Sequence, residues 1–182
     1  MATISRTGFA QVEPNHLSGI VTGQILAQLP VDTDEMGTII ENGRFAKYDY
    51  AKGAVNLSGA GEWMLIYNEE KLYDERKQHH KDFAMIASNY SDGEIVPRLI
   101  STVLGDVFTT NAFGGCAESD SATVDGIDLE VGDLVSVGEN GYLKKADVAA
   151  DDAAADDAPT FQVAKVYTMA DSQPGVKLMR IK

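Results

Sequence analysis

One cysteine, three histidines and five prolines are all that 182 residues contain of those types, and no run of about 18 apolar residues occurs. A single thiol, Cys116, closes no internal disulfide, so the chain is not an oxidised, stapled scaffold. The lack of a long apolar run leaves no helix to span a membrane, and no membrane partner is expected. The first residues, Met1 to Phe9, lack an apolar h-region, which makes cytoplasmic synthesis in a host cell the expectation. Basic residues are also scarce: 15 Lys and Arg stand against 28 Asp and Glu, a formal charge of −13. A polyanionic phosphate backbone would be repelled, so nucleic acid is not expected as a partner. The densest basic stretch, Arg76 to Lys81, is offset by Glu69, Glu70, Asp74, Glu75 and Asp82.

Catalytic devices are missing in the same way. There is no Gly-x-Ser-x-Gly elbow, phosphate loop or dinucleotide fingerprint. Gly59-Ala-Gly61 lacks the third glycine and reads as a hairpin loop. His79 and His80 are adjacent, so they point to opposite faces of a strand or lie about 100° apart on a helix, and neither arrangement makes a zinc site. His16 is alone. Acidic neighbours of Cys116 would blunt its reactivity. The acids Glu118, Asp120, Asp125 and Asp128 do not follow the calcium-loop order. Trp63, Tyr67 and Tyr73, with Glu62 or Glu69, would be the residues of a carbohydrate-acting enzyme, but aromatics at period two more often form a core. An acidic DNA mimic would need a regular array of carboxylates, whereas many of the acids here fall in one Ala/Asp segment. No catalytic residue, cofactor or metal ligand is therefore assigned.

What the chain does have is turn chemistry: 17 glycines punctuate short apolar or alternating runs about ten residues apart. Thr38 to Glu41, Arg44 to Tyr50, Ala54 to Leu57, Glu62 to Tyr67, Asp82 to Ala87, Val96 to Leu104 and Val107 to Thr110 read as strands. So do Val124 to Val137, Tyr142 to Ala146, Phe161 to Met169 and Val176 to Lys182. Asn42-Gly43 and Asn140-Gly141 each predict a tight hairpin, because both turn positions of that type need φ > 0. Asn68 to Ser88 reads either as a short charged helix or as a polar hairpin. The fold expected is mainly β, a small barrel or sandwich, with at most one short helix and either one domain or two β subdomains.

Three segments follow from this pattern. Residues 1–20 read as an extended N-terminal arm, residues 21–115 as a β-rich domain, and residues 122–182 as a barrel-like unit. The glycine-rich stretch 114–121 between the last two reads as a linker. The low-complexity Ala/Asp segment 147–159 is expected to be a mobile loop.

The C-terminal third carries a resemblance. Leu129-Glu-Val-Gly-Asp-Leu-Val-Ser-Val, a glycine-bearing turn, Tyr142-Leu-Lys-Lys-Ala, an Ala/Asp-rich gap, Phe161-Gln-Val-Ala-Lys-Val and Gly175-Val-Lys-Leu together resemble the small β-barrel decoration, or cement, proteins of tailed-bacteriophage heads. The likeness covers about 60 residues well and 100 loosely, and residues 62–95 fall outside it. It implies a non-enzymatic virion protein on the capsid exterior that bridges neighbouring subunits. Its partners would be the major capsid protein and, as a second partner, copies of itself. Another virion component, a head-fibre base or tail protein, is the alternative. In this reading the arm makes the reaching contact, with Ile4, Phe9 and Val12 as anchors against a partner strand.

Overall fold

The computed structural model describes residues 1–68, 84–119, 121–146, 158–170 and 172–182. Most of the proposed helix or hairpin within Asn68 to Ser88, and nearly all of the Ala/Asp segment, lie outside them. In chain order the elements are β1 (Ala2–Thr7), β2 (Val12–His16), α1 (Ser18–Thr22), β3 (Ile25–Leu26), α2 (Thr33–Met36), β4 (Ile39–Glu41), β5 (Phe45–Asp49), β6 (Ala54–Asn56) and β7 (Trp63–Ile66). They continue with β8 (Ala84–Ile86), β9 (Leu99–Ile100), β10 (Val107–Thr110), β11 (Thr123–Leu129), β12 (Leu134–Val137), β13 (Leu143–Lys145), β14 (Thr160–Thr168) and β15 (Pro174–Arg180). The protein is mainly β. Among the described residues no sheet closes on itself, and the architecture is sandwich-like.

Two antiparallel sheets form the body. One has six strands in the order β13-β12-β14-β15-β10-β2, and the other has five in the order β3-β9-β7-β5-β6. β1 pairs with β11, and β4 with β8, as separate two-stranded ribbons. The sheets meet through aromatic rings. Phe45 on β5 lies 6.3 Å from Phe108 on β10 and 5.6 Å from Phe161 on β14, and the last two meet edge-on at 5.3 Å. Such tilted pairs add to the area they bury. Val135, Val163, Val176 and Leu178 extend this core on one side, and Trp63, Leu65 and Ile100 on the other. Ile4 and Leu17 join the same cluster, so residues from all three sequence segments share one core.

β5 and β7 are buried on both faces. Phe45 and Leu65 face the six-stranded sheet, while Ala46, Met64 and Ile66 pack with Met36, Ile40, Ile95 and Leu99 on the far side. This explains the unbroken run Trp63-Met-Leu-Ile66: a strand covered on both sides needs no polar alternation. Each helix is a single turn. Asp32 caps α2 by accepting the Asp34 N–H at 3.1 Å, and Gly37 ends it.

The two Asn-Gly pairs behave differently. Asn140-Gly141 lies in a true hairpin, β12 to β13, with Val137 opposite Leu143. Asn42-Gly43 does not, because β4 pairs with β8 while β5 pairs with β6 and β7. In both pairs only the glycine has a positive φ, 86° at Gly43 and 80° at Gly141, so neither is the two-position φ > 0 turn expected. The Asn42 side chain is buried instead, exchanging hydrogen bonds with the Asn68 backbone at 2.7 and 3.1 Å. Val124 to Val137 also divides, into β11 and β12, around a turn in which Asp133 accepts the Glu130 N–H.

Candidate functional site

The arm anchors come first. β1 lies along β11 and β2 along β10, so residues 1–20 are woven into the body. Ile4 is 1% exposed and Phe9 4%, and Val12 packs half-buried against the main core. This burial corrects the reading of Ile4 and Phe9 as outward anchors, while Val12 keeps part of its surface exposed. Alternation along β1 turns Ile4 and Arg6 to the same inner face. Phe9 fills a small satellite cluster with Ala84 and Ala117.

Arg6 marks the densest polar chemistry in the described residues. Glu41, at the end of β4, is fully buried. Its Oε2 accepts from Arg6 Nη2 at 3.1 Å and from the Tyr142 hydroxyl at 2.5 Å. Its Oε1 accepts the Ala10 and Ala117 N–H groups at 3.1 and 3.3 Å. Arg6 also donates to the Gly115 carbonyl. Two guanidiniums lie near the Tyr142 ring, Arg6 5.8 Å and Arg44 5.2 Å from its centroid. Arg44 in turn donates to the carbonyls of Asn140 and Met36 at 3.0 and 2.6 Å. Burial, reinforced by the Glu41 charge, pushes the Tyr142 hydroxyl far above its ordinary pKa, so it stays a donor.

Chemically this centre is a closed circuit. Each Glu41 oxygen is occupied by two donors, and the carboxylate has no exposed surface to offer a substrate. It joins β1, β4, the 113–117 segment and the β12–β13 hairpin, four pieces distant in sequence. Within the stretch read as a linker, Ala117 is buried and donates to Glu41, while Gly114, Cys116, Glu118 and Ser119 are exposed. A buried charge pair costs desolvation and is retained only when well hydrogen-bonded. The sequence signal for it was slight: an arginine on the apolar face of β1.

The remaining candidates do not converge. Cys116 is exposed, but partial desolvation and the nearby Glu41 carboxylate raise its thiol pKa, which lowers its thiolate fraction. Trp63 is 8% exposed, with the Lys47 ammonium 4.8 Å from its ring centroid, so it cannot serve as a sugar platform. Tyr73, Glu69, His79 and His80 lie outside the described residues, as does Asp120. Glu62 accepts the Ser101 hydroxyl at 2.5 Å. Among the described residues no group of His, Cys, Asp or Glu is placed to hold a metal ion, and no helix is long and apolar enough to cross a membrane.

Surface features are clearer. The turn Val103–Asp106 is held by the Asp106 carboxylate, whose Oδ1 accepts the Ser18 N–H and hydroxyl at 3.0 and 2.6 Å and whose Oδ2 accepts the Val103 N–H at 3.0 Å. Arg180, at the end of β15, exchanges backbone hydrogen bonds with Gly105 and Asp106 and donates its guanidinium to the Thr102 carbonyl. Three segments thus meet at one pole, and they carry Val21, Val103, Leu104 and Ile181, which are 78, 46, 69 and 41% exposed. Elsewhere Tyr50, 72% exposed, borders an open depression of about 450 Å³ floored by Ala60, Gly61 and Met64. Comparison with protein-family models, with curated proteins and with solved structures finds no match.

Proposed function

We propose that this chain is a non-enzymatic virion protein that attaches to the outer surface of a tailed-phage head and bridges neighbouring capsid subunits. The resemblance of the C-terminal third to head decoration proteins motivates the reading. The observation that carries it is the Asp106-tied turn, which presents Val103 and Leu104 to solvent and is hydrogen-bonded to the segments that carry exposed Val21 and Ile181. Apolar side chains held outward on an ordered turn lose little entropy on docking, and clusters of them mark contact surfaces. The charge of −13 keeps free copies apart and suits a position away from packaged nucleic acid. Many weak contacts repeated over a shell would add through multivalency.

The test is co-sedimentation of the purified protein with expanded, emptied heads of the phage that encodes it. Wild type should pellet with the heads, and Leu104→Asp should stay in the supernatant while keeping its thermal midpoint. Failure of wild type to bind at any salt concentration would remove the proposal. Electron microscopy of labelled particles separates this reading from a head-fibre base or tail component.

A further inference from the structure

Two asparagines precede glycine, the pairing in which backbone attack on the side-chain amide is least hindered, since glycine has no Cβ. The fold treats them oppositely. Asn42 is 1% exposed, both ends of its amide are held by the Asn68 backbone, and the Gly43 N–H is bonded to the Ile66 carbonyl at 2.9 Å. Asn140 is exposed at the tip of the β12–β13 hairpin. Its Oδ1 accepts the Tyr142 N–H at 3.1 Å, a bond that spans Gly141. Its amide nitrogen has only a long 3.5 Å contact to the Gly114 carbonyl.

We propose that Asn140–Gly141 is a site of self-catalysed conversion of asparagine to aspartate and isoaspartate. The Gly141 amide nitrogen gives its proton to solvent hydroxide and attacks Asn140 Cγ, forming the C–N bond. The Tyr142 N–H, already on Oδ1, stabilises the oxyanion of the tetrahedral intermediate as a backbone donor does in acyl transfer. The oxyanion collapses, the Cγ–Nδ2 bond breaks and the side-chain nitrogen, protonated by water, leaves as ammonia, giving a five-membered succinimide. Water then opens the ring. Attack at the former side-chain carbonyl gives aspartate, and attack at the former backbone carbonyl gives isoaspartate. The Gly141 N–H is bonded to Gly138 O at 2.9 Å and must leave that bond first, a local opening at a hairpin tip.

Conversion at this position reaches the interior. The Asn140 carbonyl holds Arg44 Nε at 3.0 Å, and the Gly141 carbonyl accepts the Phe45 N–H at 2.7 Å. Isoaspartate routes the main chain through Cβ and Cγ, one carbon longer, turns the former Asn140 carbonyl into a branching carboxylate, and shifts the hairpin that places Tyr142 against Glu41. Ageing therefore loosens the buried centre from its exposed end.

The experiment is incubation of the intact protein at mildly alkaline pH, followed by peptide mapping that distinguishes isoaspartate from aspartate. Asn140 should convert at least about tenfold faster than Asn42, which reacts only after local unfolding. In urea both sites should convert at similar rates. Asn140→Gln, whose extra methylene disfavours the five-membered ring, should remove the gain at that peptide and leave the fold intact by circular dichroism. No conversion at Asn140 over a time in which the urea-unfolded chain reacts, or equal rates at the two sites in the folded protein, would overturn the assignment.

Discussion

Replacing Glu41 by glutamine tests the buried centre most directly, because the change keeps shape and removes charge. The new side chain's Oε1 can still take the Ala10 and Ala117 N–H groups. Its amide nitrogen then faces the Arg6 guanidinium, and two donors meet where a carboxylate stood. Arg6 is 3% exposed, and its Nε has no hydrogen-bond partner even in the native state. Leaving a buried charge unpaired costs about 3–5 kcal/mol. For a chain of this size each kcal/mol moves the midpoint about 2–4 °C, so the fall should be roughly 6–20 °C. Arg6→Met alone leaves Glu41 with the Tyr142 hydroxyl and two N–H donors and should cost less, about 1.5–3 kcal/mol. The double variant has no guanidinium to strand, so its cost should fall short of the sum by about 1–3 kcal/mol. Urea denaturation of the four proteins gives the cycle. A Glu41→Gln cost below about 1 kcal/mol, or costs that add within about 0.5 kcal/mol, would refute the reasoning.

Further outcomes follow from other contacts. Asp106→Ala strands the Ser18 and Val103 N–H groups and should lose about 1–3 kcal/mol for each that water does not reach, with faster amide exchange at both residues by NMR. Gly132 and Gly141 have φ of 96° and 80°, but a Cβ on Gly132 meets open space and one on Gly141 overlaps the Phe45 carbonyl oxygen. Gly132→Ala should therefore cost about 1–2 kcal/mol of backbone strain, and Gly141→Ala about 1–3 kcal/mol more, read by thermal unfolding. The Lys52 ammonium and the Ser58 hydroxyl hold the Glu35 carboxyl down at about 2, against an ordinary 4.5. A lowered carboxylate pKa adds stability that is complete above about pH 4.5 and is lost as pH falls toward 2. Carbon-detected titration should place the Glu35 midpoint near 2, and Lys52→Met should move it upward.

The sequence alone determined the class of the fold and most of its strands. Alternation at Phe161 to Thr168, and the Ser172-to-Gly175 turn signal ahead of Val176, sufficed for the β14–β15 hairpin, because neighbouring strands joined by a short turn are local information. It also determined the scarcity of reactive groups, since residues that are not there cannot converge. Only the tertiary structure decided what the first twenty residues do. Nothing local distinguishes a free arm from β1 and β2, whose partners β11 and β10 lie about a hundred residues away. The same holds for Asn42-Gly43, a hairpin signal overruled by the bond between Asn42 and Asn68. Glu41, Arg6, Tyr142 and Ala117 gain their meaning only when four distant segments meet. Side-chain period reports which face is apolar, and it carries no record of which charge will find which partner inside.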